Sequence, residues 1–354
     1  MRDTGSLYID GKPGRTCTIK GKEYLFFSGY NYLGLSTDLE FNALVEEGAA
    51  KYGWVFPSSR ISNTRLALYE EAEALLSQIT NSEDTVLMPS GYAAGRMSTS
   101  YFDRLVYNAP GSHPAILQHR SGFVNFHDWK EWLLNTTLSD HTAPVIIAAD
   151  AVSPLTASIN DFSFLKNLAG PAVMVIDDSH GIGILGKNGE GISSSLPSKT
   201  GLEYLLTYSL SKAYGIPGGA ISCTGERAKY FRSLPAYTGI TPISPAPIYA
   251  FIRGQHIYQR QLKKLQENLM SFKAMIAERQ DIIHVDKFPV FILPLGLNEV
   301  DFYMKDIVIS SFSYPDPAGQ KLNRIVINAA HTQNDLQQLA AILKSLLPPQ
   351  YFTS

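Results

Sequence analysis

Two cysteines, Cys17 and Cys223, are all that the 354-residue chain contains. They offer neither a disulfide framework nor a metal cluster, so a reducing, cytoplasmic setting is expected. Long apolar runs are missing as well. No stretch reaches membrane-spanning length, and the opening "MRDTGSLYIDGKPG" has no apolar core for a signal peptide. Neither sign of charge dominates: the formal net charge is −2, which gives no reason to expect nucleic acid or an anionic membrane as partner. Internal repeats and low-complexity tracts are absent too. What is present, 45% hydrophobic and 18% charged residues, is the balance of a soluble globular protein. Its length suffices for a large domain with a smaller one, or for two of similar size.

Residues 16–27, "TCTIKGKEYLFF", read as a hairpin with a Gly-Lys turn. Helical spacing of apolar residues predicts a helix from Leu39 to Gly53 and another through "LALYEEAEALLSQIT". Strands and helices then alternate. "DTVLMPS" leads into a helix at "GYAAGRMSTSYF"; "PVIIAAD", "PAVMVIDD" and "LEYLLTYSL" read as strands; "DFSFLKNLAG" reads as a helix. Runs that are apolar throughout suit a parallel sheet covered on both faces, which makes the fold class α/β. The Pro-rich "AYTGITPISPAPIYA" marks a joint, followed by one long helix from about Ile248 to Glu278 and a small α+β region. The expected division is an N-terminal segment, 1–37, packing with the small domain; a large domain, 38–245; and a small C-terminal domain, 246–354, preceded by the long helix.

Three stretches are candidates for chemistry. In "VMVIDDSHGIGILG" a buried strand runs into Asp177 and His180, and open parallel sheets bind ligands at the carboxyl ends of their strands. A loop acid beside an ordinary surface histidine explains this stretch equally well. In "TYSLSKAYGIPGGAISC" Lys212 stands among small hydroxyl residues before a Gly-rich turn, a setting in which a lowered pKa permits Schiff-base chemistry, although most lysines are merely solvated. In "MPSGYAAGR" a strand enters a helix at Ser90-Gly91-Tyr92, and backbone N–H groups at a helix start bind phosphate. That turn has neither the Gly-Lys-Ser/Thr of a Walker loop nor a dinucleotide fingerprint. The order of the three is informative: a pyridoxal 5′-phosphate (PLP) site needs an anion cradle, an acid for the pyridine nitrogen and a lysine.

At this point the chain resembles the α-oxoamine synthases, a branch of the fold-type I PLP-dependent transferases that includes 8-amino-7-oxononanoate synthase, 2-amino-3-ketobutyrate CoA ligase and serine palmitoyltransferase. The likeness runs from "FFSGYNYLGLS" to "RIVINAAH", and "MPSGYAAG", "DDSHGIGILGKNGEG" and "SLSKAYGIPGG" carry it. It implies a large domain with a mostly parallel sheet covered by helices, plus a small α+β domain. It also implies that Lys212 is the Schiff-base lysine, that Asp177 pairs with the pyridine nitrogen, that His180 bonds near the phenolic oxygen, and that His113 stacks on the ring. Ser90, Gly91, Tyr92 and Ser209 would hold the phosphate. Thr241 would reach the phosphate of a second subunit, so the resemblance implies a homodimer with a shared active site. Asn31, in "YNY", is closer to serine palmitoyltransferase than to the biotin enzymes.

Departures concern the substrate. Ser310 occupies the place of an arginine that grips the amino-acid carboxylate, and Arg324 matches a second family arginine and is the next candidate for that grip. "SSRISNTRLALYEEAEALL" lacks the glycine and histidine usual after Arg60, Ser153 is displaced by one place, and the helical leader that shapes the acyl channel is expected to be absent. The implied reaction is decarboxylative condensation of an amino acid with an acyl thioester, on CoA or an acyl carrier protein, to an α-amino ketone. The alternatives are an aminotransferase on the same fold and a non-catalytic homologue that binds a partner.

Overall fold

The computed structural model describes residues 6–119, 121–136, 144–313 and 318–346. They form two compact units, one of residues 43–153 with 159–255, the other of residues 6–42 with 154–158 and 256–346.

The first unit is built on a six-stranded sheet. Its order is Asp84–Met88, Gly219–Cys223, Leu202–Ser209, Ala172–Asp177, Val145–Asp150 and Val106–Asn108. The last four are mutually parallel, and Gly219–Cys223 runs antiparallel to both neighbours. The apolar runs explain the burial: all six residues of Ala172–Asp177 and all five of Gly219–Cys223 are buried. The helix Gly91–Ser100 packs on this sheet, with Ala94 and Met97 joining Val86, Val175, Leu205 and Ile221 in one core. Ser90 caps it by accepting from the Ala93 N–H at 3.1 Å, a contact worth about 1 kcal/mol.

This is a fold-type I α/β architecture with a mixed, mostly parallel main sheet and a second, smaller sheet in the other unit. Three local expectations need correction. "DFSFLKNLAG" forms only a short 3-10 segment, Ser163–Asn167, which already buries Phe164 and Leu165, Phe164 against the rings of Phe126 and Trp129. The "GGAISC" end of the Gly-rich turn is a strand. The helix expected from Ile248 is two helices, Pro245–Arg253 and Gln255–Met275; Gly254 ends the first at φ −89°, ψ 16°, where a residue of poor helix propensity breaks the run.

The second unit holds a five-stranded sheet ordered Thr16–Ile19, Lys22–Phe27, Ile307–Phe312, Leu322–Val326 and Val290–Ile292. The hairpin turn is Lys20-Gly21, one residue before the expected Gly-Lys; both residues have positive φ (51° and 78°), the geometry of a two-residue hairpin turn. Part of the loop after Phe312 that the family comparison concerned, Tyr314 to Pro317, lies outside the described residues. No helix among the described residues is long and apolar enough to cross a membrane.

Candidate active site

The four parallel strands of the first unit deliver polar groups at their carboxyl ends. Val145–Asp150 and Ala172–Asp177 end level with each other, Asp150 opposite Asp177, and Asp177 is in turn level with Thr207. Two carboxylates therefore leave adjacent strands on one side of the sheet. Asp177 is 6% exposed and accepts from the Ser179 N–H at 3.0 Å.

His113 follows the Val106–Asn108 strand. Its Nδ1 lies 3.7 Å from Asp177 Oδ2 and accepts from the Ala115 N–H at 3.2 Å, which leaves the ring proton on Nε2. Desolvation lowers the His113 pKa, with the Lys212 charge acting the same way and Asp177 opposing; the ring's inner edge is desolvated although about half the side chain meets solvent. Lys212 lies past the end of Leu202–Ser209. Burial lowers its pKa, while the charges of Asp177 and Asp150 favour its ammonium form. Those couplings put Lys212, His113, Asp177 and Asp150 in one electrostatic cluster. His180, half-buried, stands three residues beyond Asp177 on the same turn.

Beside this cluster is the start of the Gly91–Ser100 helix, whose first N–H groups, those of Gly91 and Tyr92, have no acceptor within the helix. The turn around it has no room for side chains. A Cβ on Gly91 would lie 2.7 Å from the Ser209 Cβ, and one on Gly219 would lie 2.5 Å from the Gly91 nitrogen. Ser209 shares a 2.8 Å hydroxyl contact with Ser211 and accepts the Ser211 N–H at 3.2 Å. Small residues, free helix-start N–H groups and hydroxyls suit a phosphate. A buried carboxylate and a desolvated lysine suit the remainder of PLP, so the residues present fit that group. Tyr92 and Thr241 are exposed.

The other predicted residues belong to the second unit. Asn31 donates to the Ser36 hydroxyl at 2.7 Å. Ser310 shares a 2.8 Å contact with the Ser28 hydroxyl. Arg324 is 1% exposed, donates to the Pro154 carbonyl (3.0 Å) and the Tyr30 hydroxyl (2.6 Å), and lies against the rings of Tyr30 and Phe312. Its Nε is buried without a hydrogen-bond partner.

Sequence reasoning missed two acids. Asp150 ends "PVIIAAD" just as Asp177 ends its strand, and that shared signature could have found it. Asp178 accepts the Ile192 N–H at 2.8 Å and is wrapped by glycines: a Cβ on Gly181 or Gly191 would lie 2.1 or 2.0 Å from its carboxylate oxygens. Gly181, Gly183 and Gly186 have the G-x-G-x-x-G spacing, but they form turns around Asp178 instead of opening a helix. Elsewhere on this unit a recess of about 1090 Å³ is lined by Arg60, Glu73, Asp84 and Arg232. Its charges are paired among themselves, Arg60 with Glu73 and Arg232 with Glu73 and Asp84, so the strand-end cluster is the better candidate.

Comparison with known proteins bears on the fold and the family. The chain is 25% identical to 8-amino-7-oxononanoate synthase of Lysinibacillus sphaericus, over 93% of this chain and 90% of that one. It is 26% identical to the biotin biosynthesis bifunctional protein BioWF of Corynebacterium kroppenstedtii over 97% of its own length, but spans only 56% of that relative. Among solved structures, a serine palmitoyltransferase from S. paucimobilis with bound PLP–myriocin aldimine superposes with a TM-score of 0.81 at 17% identity, covering 97% of this chain and 92% of that one. The profile described as Aminotransferase class I and II matches residues 124–343, and the chain belongs to that family.

Proposed function

We propose that this chain is a PLP-dependent acyltransferase of the α-oxoamine synthase type, condensing an amino acid with an acyl thioester, on CoA or an acyl carrier protein, with loss of CO₂ to give an α-amino ketone. The observation that carries the reading is the level placement of Asp177 within the cluster that includes Lys212 and His113. PLP, when bound, supplies an electron sink for a carbanion at the amino acid's Cα. Lys212 Nζ would be the attachment point; desolvation makes it easily uncharged, while the neighbouring Asp177 charge would keep it basic enough to carry the Cα proton. Asp177 holds a proton on the ring nitrogen. His180 donates toward the phenolic oxygen, and His113 covers the ring. Ser90, Gly91, Tyr92 and Ser209 bind the phosphate, with Thr241 serving the second subunit of a homodimer. Arg324, through its unpartnered Nε, and Asn31 bind the amino acid.

The test is spectroscopic and then chemical. Purified protein given PLP acquires an absorbance band near the visible edge that Lys212→Ala lacks. With the right amino acid, an acyl-CoA then releases free thiol. No band, or an unchanged one in Lys212→Ala, sinks the reading. The family match also supports an aminotransferase; that reading wins if an amino donor alone converts the cofactor to its pyridoxamine form.

A further inference from the structure

Asp150 has no part in the roles assigned so far, yet it occupies the centre of the cluster. It is the Cα partner of Asp177 on the neighbouring parallel strand, and strands in a sheet run about 4.8 Å apart. Its Oδ1 accepts the backbone N–H of His113 at 3.0 Å, the residue whose ring lies 3.7 Å from Asp177. Its own backbone is pinned: the Asp150 carbonyl accepts from the Asn160 side chain at 2.8 Å, and the next carbonyl, of Ala151, accepts the Asn160 N–H at 2.9 Å. A pinned acid thus grips the loop that presents the imidazole.

We propose that Asp150 is a positioning residue whose carboxyl, by accepting the His113 backbone N–H, fixes that loop and so sets the imidazole beside Asp177. This deepens the PLP reading above and rests on it for its functional meaning. Two carboxylates so close in a buried setting do not both ionise cheaply. Burial first, and the Asp177 charge second, push the Asp150 pKa well above the usual carboxylate range; the His113 N–H and the Lys212 charge resist. These are the groups that face it: Asp177 from one strand, His113 from the loop after another, Lys212 from the turn after a third. That upward direction favours an uncharged Asp150 and leaves Asp177 as the carboxyl group offered to a ring nitrogen.

The test compares Asp150→Asn, which keeps an acceptor oxygen and removes the acidic proton, with Asp150→Ala, which removes both. Ring-nitrogen NMR of histidine-labelled protein without PLP reads the His113 tautomer and titration midpoint. The expected result is that Asp150→Asn keeps both and holds PLP within about twofold of the parent. Asp150→Ala loses the fixed tautomer, shifts the midpoint and binds PLP at least about fivefold more weakly, the size of losing one hydrogen bond of about 1 kcal/mol. If Asp150→Ala leaves the His113 tautomer and midpoint untouched, or if Asp150→Asn alters them, the proposal is overturned. Asp150→Asn alone decides should the alanine variant not fold. A parent protein that binds no PLP sinks the enzyme reading instead, and leaves the NMR comparison standing.

Discussion

Ser310 and Arg324 are Cα partners on adjacent antiparallel strands, so the serine at the expected arginine position stands directly beside the arginine that remains. Ser310 is occupied with Ser28, whereas Arg324 keeps a buried N–H without an acceptor. On the proposed reading, one guanidinium serves where the family resemblance implies two. Ser310→Ala should change the KM for the amino acid by less than about twofold, the effect of losing one neutral hydroxyl contact with a small net contribution. Arg324→Lys, which cannot keep the planar stacking on Tyr30 and Phe312, should raise that KM about tenfold or more while leaving the PLP band intact. Steady-state kinetics on both variants checks this; equal effects would mean that Arg324 is only structural.

The sequence made the strand-end chemistry readable because buried parallel strands are apolar to their last residue, and the polar groups after Ile176 and Leu206 break that pattern abruptly. The main strands were legible for the same reason, as was the strand-to-helix turn at Ser90-Gly91-Tyr92. Gly219–Cys223 was not, because the Gly218-Gly219 pair at its start looks like turn and only pairing on both sides makes it a strand. The break at Gly254 was hidden by apolar spacing that continues across it. Asp150 ends an apolar strand just as Asp177 does, but its importance comes from register against Asp177, 27 residues further on, which the strand-end signature alone does not display.

Gly91 offers a sharper test of the phosphate cradle. Any Cβ there meets Ser209 at 2.7 Å from its Cβ and 2.8 Å from its Cα, so side-chain rotation gives no relief. Gly91→Ala should lower stability by about 1–3 kcal/mol, the usual cost of overpacking a tight contact. It should also weaken PLP binding by about tenfold, since the first helix-start N–H is moved off the anion position. A thermal melt and a PLP titration read the two effects separately.

His113 is held with its pKa below the ordinary 6.5 by desolvation, so the ring is neutral at pH 7. An imidazole used in that form loses function only as pH falls below 6.5 and protons reach Nδ1. His113→Asn should reduce kcat/KM by about 10²-fold, a typical contribution of one placed imidazole. The acid limb of the parent's pH profile, with its midpoint under 6.5, should vanish in the variant. Persistence of that limb assigns it to another group.

His331 supplies a stability switch in the second unit. It is 4% exposed and stacked on Phe27 with ring centroids 4.1 Å apart; its Nδ1 accepts the Asn328 N–H at 3.0 Å, and Nε2 faces the Phe26 carbonyl at 3.1 Å. A proton on Nδ1 would confront that N–H with no water to help, and burial pushes the pKa down to about 4 from 6.5. Because the folded value is depressed, the neutral ring's contribution is complete above pH 6.5 and is lost as pH falls from 6.5 toward 4. A gap of that width corresponds to about 3 kcal/mol. Asp150 and Asp178, both raised by burial, act in the opposite direction, gaining stability as they protonate on acidification. The informative quantity is therefore the difference between the parent and His331→Gln, which can still accept and donate without titrating. Urea melts at pH 7 and at pH 4.5 should show the parent losing more stability than the variant, and a constant difference across that window would place the histidine's proton elsewhere.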